Sequence, residues 1–235
     1  MTDSGIRPLP PDAPAPAAQP STRVFLVRHA QSTWNEERRI QGQRDPPLSR
    51  LGQSQAGALG ERLAKGRWAA FYSSDLERAL ETAAPLASRI DIPLQRDPDL
   101  REIGLGEWEG LTREQLVACY PERWASWRSE PDWDLVPGGE GADAFERRVR
   151  VAIAGLFDRH PEGDVLAVTH GGVIQVALAA VVGRTSRGPF TFVVGNASLT
   201  VIQRRDGRHL IGRVNDACHL EALRAPAAAE TTLPR

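Results

Sequence analysis

The sequence predicts an α/β fold, a three-layer α/β/α sandwich around a mostly parallel central sheet. Three observations carry that prediction. Short apolar, β-rich runs recur along the chain, RVFLV at Arg23–Val27 and DVLAVT at Asp164–Thr169 among them, as expected of strands covered on both faces. Segments with helical periodicity fill the stretches between them, so strands alternate with helices. The 235 residues are 41% apolar and carry no internal repeat, enough for one sizeable core.

Taken in order, Arg23–Val27 is the first strand, and Leu51–Lys65 is a helix with Ala56, Leu59 and Leu63 on one face. Trp68–Tyr72 reads as a second strand and Asp75–Ile90 as a second helix, with Asp75 placed to cap its N-terminus. Ile92–Gln95 is a brief third strand. Residues 112–130 are helical but irregular, with Trp124 and Trp127 among them. Ala142–Arg159 is a long amphipathic helix, Asp164–Thr169 a buried strand, and Gly172–Val182 the helix that follows. Ser198–Arg204 and His209–Val214 close the chain as strands around an Asp206-Gly207 turn. Residues 23–221 are therefore expected to form one domain. Residues 1–22 are Pro/Ala-rich and residues 222–235 similar, and neither buries enough surface to offset ordering entropy, so both are expected to be flexible tails.

Composition excludes several classes of function. The 29 Lys plus Arg and 30 Asp plus Glu leave a net charge of −1, with no excess basic field for coating nucleic acid. Two cysteines, Cys119 and Cys218, are too few for a disulfide framework and point to a reducing cytoplasm. The longest nearly apolar run, Val173–Val182, is broken by Gln175 and falls well short of the roughly 20 residues a bilayer span needs. The first 20 residues carry Asp3, Arg7 and Asp12 and no apolar segment of the kind a signal peptide requires. The expected protein is a cytoplasmic monomer or homodimer that meets a small molecule rather than nucleic acid or membrane. Lys65 is its only lysine, so chemistry that needs a cation must use arginine.

In sheets of this kind the site lies at the carboxyl ends of the strands. Arg28 and His29 follow the first strand, with Ser32 and Asn35 close behind; Ser73-Ser74-Asp75-Leu76-Glu77-Arg78 follows the second. Leu100-Arg101-Glu102-Ile103-Gly104 comes after the third, and His170-Gly171-Gly172 after the fourth. Any one of these alone is ordinary loop chemistry. Together they place His29, His170, Arg28, Arg78 and Glu102 beside fresh helix N-termini, a setting that suits a doubly charged oxyanion.

The ordered motifs LVRHAQSTWN, QGQRDPPLSRLGQSQA, SSDLERALETA, LREIGLGEWEG, PGGEG and VTHGG, with a closing NDACHL, resemble the histidine phosphatase superfamily of phosphoglycerate-mutase-like fold. The resemblance runs from Val24 to about Leu220 and is nearest to the broad-specificity bacterial phosphatases of that family. Two positions depart from its pattern: Ala30 stands where Arg-His-Gly is usual, and Gly141 where serine more often follows Pro-Gly-Gly-Glu. An alanine at positive φ would cost on the order of 1–2 kcal/mol.

The resemblance implies His29 as the nucleophile that becomes a phosphohistidine, and Glu102 as the acid that protonates the leaving alkoxide and then activates water. Arg28, Asn35, Arg78 and His170 are implied as phosphate ligands. Gln41, Ser32 and Gly171 are candidates for substrate contact, as is the Glu107–Gly110 loop, whose Trp108 is expected to pack the loop. The residue types agree with the chemistry: neutral imidazole is nucleophilic, nearby guanidiniums keep it neutral, and cations stabilise the charge spread over a transferring phosphoryl group. No cofactor is implied and no metal, since neither His160 nor His209 has an acid or thiol at ligand spacing. His219 matches the closing motif without an evident physical role. Trp124, Trp127 and Trp133 could form an apolar lid that favours bulky esters; the core is the expected place, since large aromatics usually bury.

The expected function is hydrolysis of small phosphate monoesters. One alternative is a cofactor-dependent phosphoglycerate mutase, against which stand the short Glu102–His170 interval and the Gly-x-Trp-Glu-Gly form of the acid loop. The other is a non-catalytic module that binds phosphorylated ligands, against which stands the presence of His29, Glu102 and His170 together.

Overall fold

The computed structural model describes residues 21–188 and 191–223. Most of the two expected tails lies outside these residues. The elements run β1 (Thr22–Arg28), α1 (Thr33–Glu36), α2 (Arg50–Leu63), β2 (Ala70–Ser73), α3 (Glu77–Ala87), β3 (Leu94–Arg96), α4 (Arg113–Cys119), α5 (Pro121–Ser129), α6 (Ala142–Arg159), β4 (Gly163–Thr169), α7 (Gly171–Val181), β5 (Leu199–Arg205) and β6 (Arg208–Asp216). The sheet has the order β3-β2-β4-β1-β5-β6, in which β3, β2, β4 and β1 are parallel, β5 pairs antiparallel with β1, and β6 pairs antiparallel with β5. Asp206 and Gly207, both at positive φ, make the expected tight turn between the last two strands.

Alternation along each strand divides the core into two layers. Val24 and Leu26 of β1 and Val165 and Ala167 of β4 face α6 and α7, where Phe145, Val149, Leu156, Ile174 and Leu178 are buried. Val27, Phe71, Leu166 and Val168 face the other way, onto Leu59 and Leu63 of α2 and Ala79, Ala83 and Leu86 of α3. Three layers result, as the sequence predicts.

Several expected boundaries shift for identifiable reasons. Trp68 is not in β2: its ring sits edge-on to Phe25 at 5.0 Å and its indole N–H donates to the Leu63 carbonyl at 2.9 Å, so it pins the α2–β2 loop. Asp75 does not cap α3. The cap position is Leu76, which offers no side-chain acceptor, and Asp75 instead makes a bidentate pair with Arg101, at 2.6 and 2.5 Å. The carboxylate of Asp45, distant in sequence, takes the Glu77 N–H. The irregular 112–130 segment is two helices broken at Tyr120, where Pro121 starts the second.

Trp108 and Trp133 are buried core residues, and Trp124 and Trp127 are half-buried against the same core. Gly141 has φ +80 and ψ 157, a conformation nearly confined to glycine, and has no side chain to cap α6. Asp134 supplies the cap, accepting from the Ala142 N–H at 2.8 Å. A serine is therefore dispensable at this position.

Candidate active site

The parallel strands end side by side, and their last residues are tied together. The His29 N–H donates to the Thr169 carbonyl at 2.8 Å and the Ser74 N–H to the Val168 carbonyl at 2.8 Å, which fixes the exits of β1, β2 and β4 at one level. A cleft of about 160 Å³ opens above them. Arg28, His29, Arg78 and Glu102 line it, with Gln41, Gly42, Ile40, Ile103, Leu105 and Trp133 around them.

His29 is buried, and its Nδ1 lies 2.7 Å from the Ala30 carbonyl. A carbonyl only accepts, so the neutral ring carries its proton on Nδ1 and keeps a lone pair on Nε2. Burial, and then the Arg78 and Arg28 guanidiniums, hold its pKa well below the usual histidine value. His170 is also fully buried, with its ring centroid 5.2 Å from that of His29 and its Nε2 2.8 Å from the Ser74 hydroxyl. Burial, then Arg78, His29 and Arg28, depress its pKa too. Ala30 is not among the residues at positive φ, so it brings no backbone strain, and its N–H donates to Thr82 Oγ1 at 2.9 Å.

Arg78 is completely buried. Its terminal nitrogens donate to the Gly42 and Arg44 carbonyls at 2.7 and 2.8 Å, and to Asp45 at 3.3 Å. Arg28 donates to the Val194 carbonyl at 2.6 Å, and among the described residues no carboxylate forms an ion pair with it. Burial lowers the pKa of both guanidiniums. Nε of Arg28, Nε of Arg78 and Nδ1 of His170 are buried with no hydrogen-bond partner among the described residues. Taking an ion out of water costs several kcal/mol, so the fully buried Arg78 and the half-buried Arg28, each with a free buried Nε–H, suit an anion as a further partner.

Glu102 closes the site. Its carboxylate accepts the Ile103 N–H through Oε1 and the Gly172 N–H through Oε2, both at 3.0 Å. Its own carbonyl takes bonds from Gln43 Nε2 at 3.2 Å and Arg148 at 3.3 Å. Arg148 also donates to the Asp99 and Arg101 carbonyls and pairs with Glu140 at 2.7 Å, so it braces the whole acid loop.

The remaining expected ligands are placed differently. Ser32 is buried and forms a capping box with Asn35 at the start of α1, and its hydroxyl donates to Gln41 Oε1 at 2.8 Å. Asn35 Oδ1 accepts from Ser32 and from Asn196 Nδ2, and Asn35 does not line the cleft. Gln41 does line it. Gly171 packs on Arg28, whereas the close approach to the acid is at Gly172. The Glu107–Gly110 loop is built into the fold: Trp108 meets Trp127 edge-on, and Glu109 accepts from the N–H groups of Gln43, Arg44 and Leu105.

Sequence reasoning misses Ser74, Arg148 and Asn196, and it favours the core for Trp133, which lines the cleft as well. Ser74 lies inside a quoted motif next to a strand end and could have been found; the others reach the site only through tertiary packing. His219 gains a role. Its Nδ1 lies 3.0 Å from Arg62, which pairs with Asp216, and this ties the closing segment to α2.

The family model described as histidine phosphatase superfamily (branch 1) matches residues 24–217. The metal-independent phosphoserine phosphatase of Arabidopsis thaliana is 35% identical over 205 residues, covering 86% of this chain and 84% of that one. The glucosyl-3-phosphoglycerate phosphatase of Mycobacterium tuberculosis is 37% identical over 187 residues, covering 76% and 83%. Among solved structures, Bacillus stearothermophilus YhfR superposes with a TM-score of 0.76 at 33% identity, over 85% of this chain and 100% of that one.

Proposed function

Because the chain belongs to the histidine phosphatase superfamily, we propose that it hydrolyses small phosphate monoesters through a phosphohistidine formed on His29. The observation that carries the reading is the set of three unpartnered buried polar atoms, on Arg28, Arg78 and His170, around an imidazole with a free Nε2.

A phosphoryl group held by these donors has its charge neutralised where the transition state spreads it over the equatorial oxygens. Nε2 of His29 attacks phosphorus as the P–O bond to the alcohol breaks, and its Nδ1–H, bonded to Ala30, keeps the ring in the reactive tautomer. Glu102 in its acid form gives the proton to the departing alkoxide. As a carboxylate it then takes a proton from water, which attacks the phosphohistidine, releases inorganic phosphate and restores neutral His29. With the Ser74 hydroxyl donating to His170 Nε2, the His170 proton sits on Nδ1 and serves a phosphate oxygen. The cations are all guanidinium, and the mechanism calls on no metal. The reading also carries a cytoplasmic setting, in which the exposed Cys119 and Cys218 stay reduced.

The test is a steady-state assay on a panel of phosphate monoesters that includes 3-phosphoglycerate with and without 2,3-bisphosphoglycerate. Phosphate release unaffected by the bisphosphate is the expected result. Bisphosphate-stimulated isomerisation with little free phosphate would make the chain a mutase.

A further inference from the structure

Beside the phosphate-binding arginines the cleft has an apolar lining, made by Ile40, Ile103, Leu105 and Trp133. A phosphate has no use for such a surface, so it falls to the alcohol portion of the ester. Trp133 is its one aromatic ring, backed at 4.7 Å by Trp127. It lies on a short 3-10 turn, Trp133–Leu135, that belongs to none of the segments following the strand ends.

Two side chains from other segments hold that turn: Arg123 of α5 donates to the Leu135 carbonyl at 3.1 Å, and Arg187 makes the larger set of contacts. Arg187, in the segment after α7, reaches Asp132 at 3.0 Å, Asp134 at 2.6 Å, and Asp143 in the first turn of α6. Its backbone carbonyl accepts the Trp133 N–H at 2.8 Å. The three carboxylates are tied into the same region: Asp132 accepts the Asp134 N–H at 2.9 Å, and Asp134 caps α6. An isolated exposed ion pair contributes little, but one planar guanidinium engaging three carboxylates on two segments has its geometry fixed from several sides.

We propose that Arg187 is a positioning residue for substrate selection, clasping Asp132, Asp134 and Asp143 so that Trp133 stands as the wall against which the alcohol of the ester packs. The preferred esters are then those whose alcohol offers a ring or apolar face. The proposal rests on the phosphatase reading and adds to it which part of the molecule chooses the leaving group.

The test compares the KM for p-nitrophenyl phosphate, whose ring meets the wall, with the inhibition constant of inorganic phosphate, which meets only the cradle. In Arg187→Gln the KM rises about tenfold, the scale of one lost contact in an apolar pocket, while the phosphate constant stays within about twofold. Trp133→Ala raises the KM similarly, and adding Arg187→Gln to it raises the KM no further, because the two act through one contact. Asp143→Asn, which removes one arm of the clasp at the surface, gives a smaller rise in the same direction and serves if Arg187→Gln fails to fold. An unchanged KM in Arg187→Gln, additive effects in the double variant, or a parallel rise in both constants would overturn the proposal. Absence of phosphate release by the unmodified protein would instead overturn the phosphatase reading, and the proposal with it.

Discussion

Gly172 and Glu102 are matched at the level of single atoms. The Gly172 N–H donates to Oε2 of Glu102 at 3.0 Å, and a Cβ at position 172 would lie 2.2 Å from Oε1. The first turn of α7 thus both binds the carboxyl group and leaves it the space it occupies. Gly171→Ala meets Arg28 only at ordinary contact distance, 3.5 Å from Nε. Gly172→Ala is therefore expected to cut kcat by at least about tenfold with slow esters, through a displaced acid, and Gly171→Ala to cut it less. Steady-state kinetics on the two variants check this; equal losses would contradict it.

Glu102→Gln keeps the size of the side chain and removes its proton chemistry. Turnover of alkyl phosphates, whose leaving groups need a proton, is expected to fall about 10²–10⁴-fold, and that of aryl phosphates much less. Comparing kcat/KM for glycerol phosphate and p-nitrophenyl phosphate measures the difference. Equal losses on both would remove Glu102 from the acid role.

Stability should fall on the acid side of neutrality. Burial and the two arginines depress the pKa of His29 and His170 in the folded chain, while in the unfolded chain both titrate near 6.5. Their contribution is complete above about pH 6.5 and is lost as pH falls from there toward the folded values, because the unfolded chain then binds protons that the folded one does not. Melting temperature is expected to drop from pH 7.5 to 5.5, with a shallower slope in His170→Gln. The acid limb of kcat/KM lies below 6.5 for the same reason. A melting temperature that rises on acidification would contradict this account.

Chelation should change nothing in the chemical step, since Arg28 and Arg78 supply the positive charge. Activity after exhaustive treatment with EDTA is expected to match that of untreated protein; a large loss restored by a divalent ion would place a metal in the reaction.

Much of this site is legible in the sequence because it follows strand ends. Arg28 ends β1, His29, Arg78, Glu102 and His170 follow β1, β2, β3 and β4, and a parallel sheet brings those ends together whatever the loops do. What sequence reasoning misplaces is decided by partners distant along the chain. Ser32 and Asn35 read as ligands by their chemistry but spend it on capping α1 and bonding Gln41 and Asn196. Asp75 reads as a helix cap, yet Arg101 claims it and Asp45 serves instead. Trp133 belongs to both core and cleft, the two places its chemistry allows, and no periodicity in residues 112–141 decides between them, because its turn is tied to Arg187 more than fifty residues later.

The central claim is that His29 carries the phosphoryl group between alcohol and water. Rapid mixing with p-nitrophenyl phosphate, quenching in alkali and mapping the modified residue by peptide mass spectrometry tests it most directly. An alkali-stable, acid-labile phosphoryl group on His29, absent from a folded but inactive His29→Ala, is the predicted result. Full turnover by His29→Ala, or label on another residue, would contradict it.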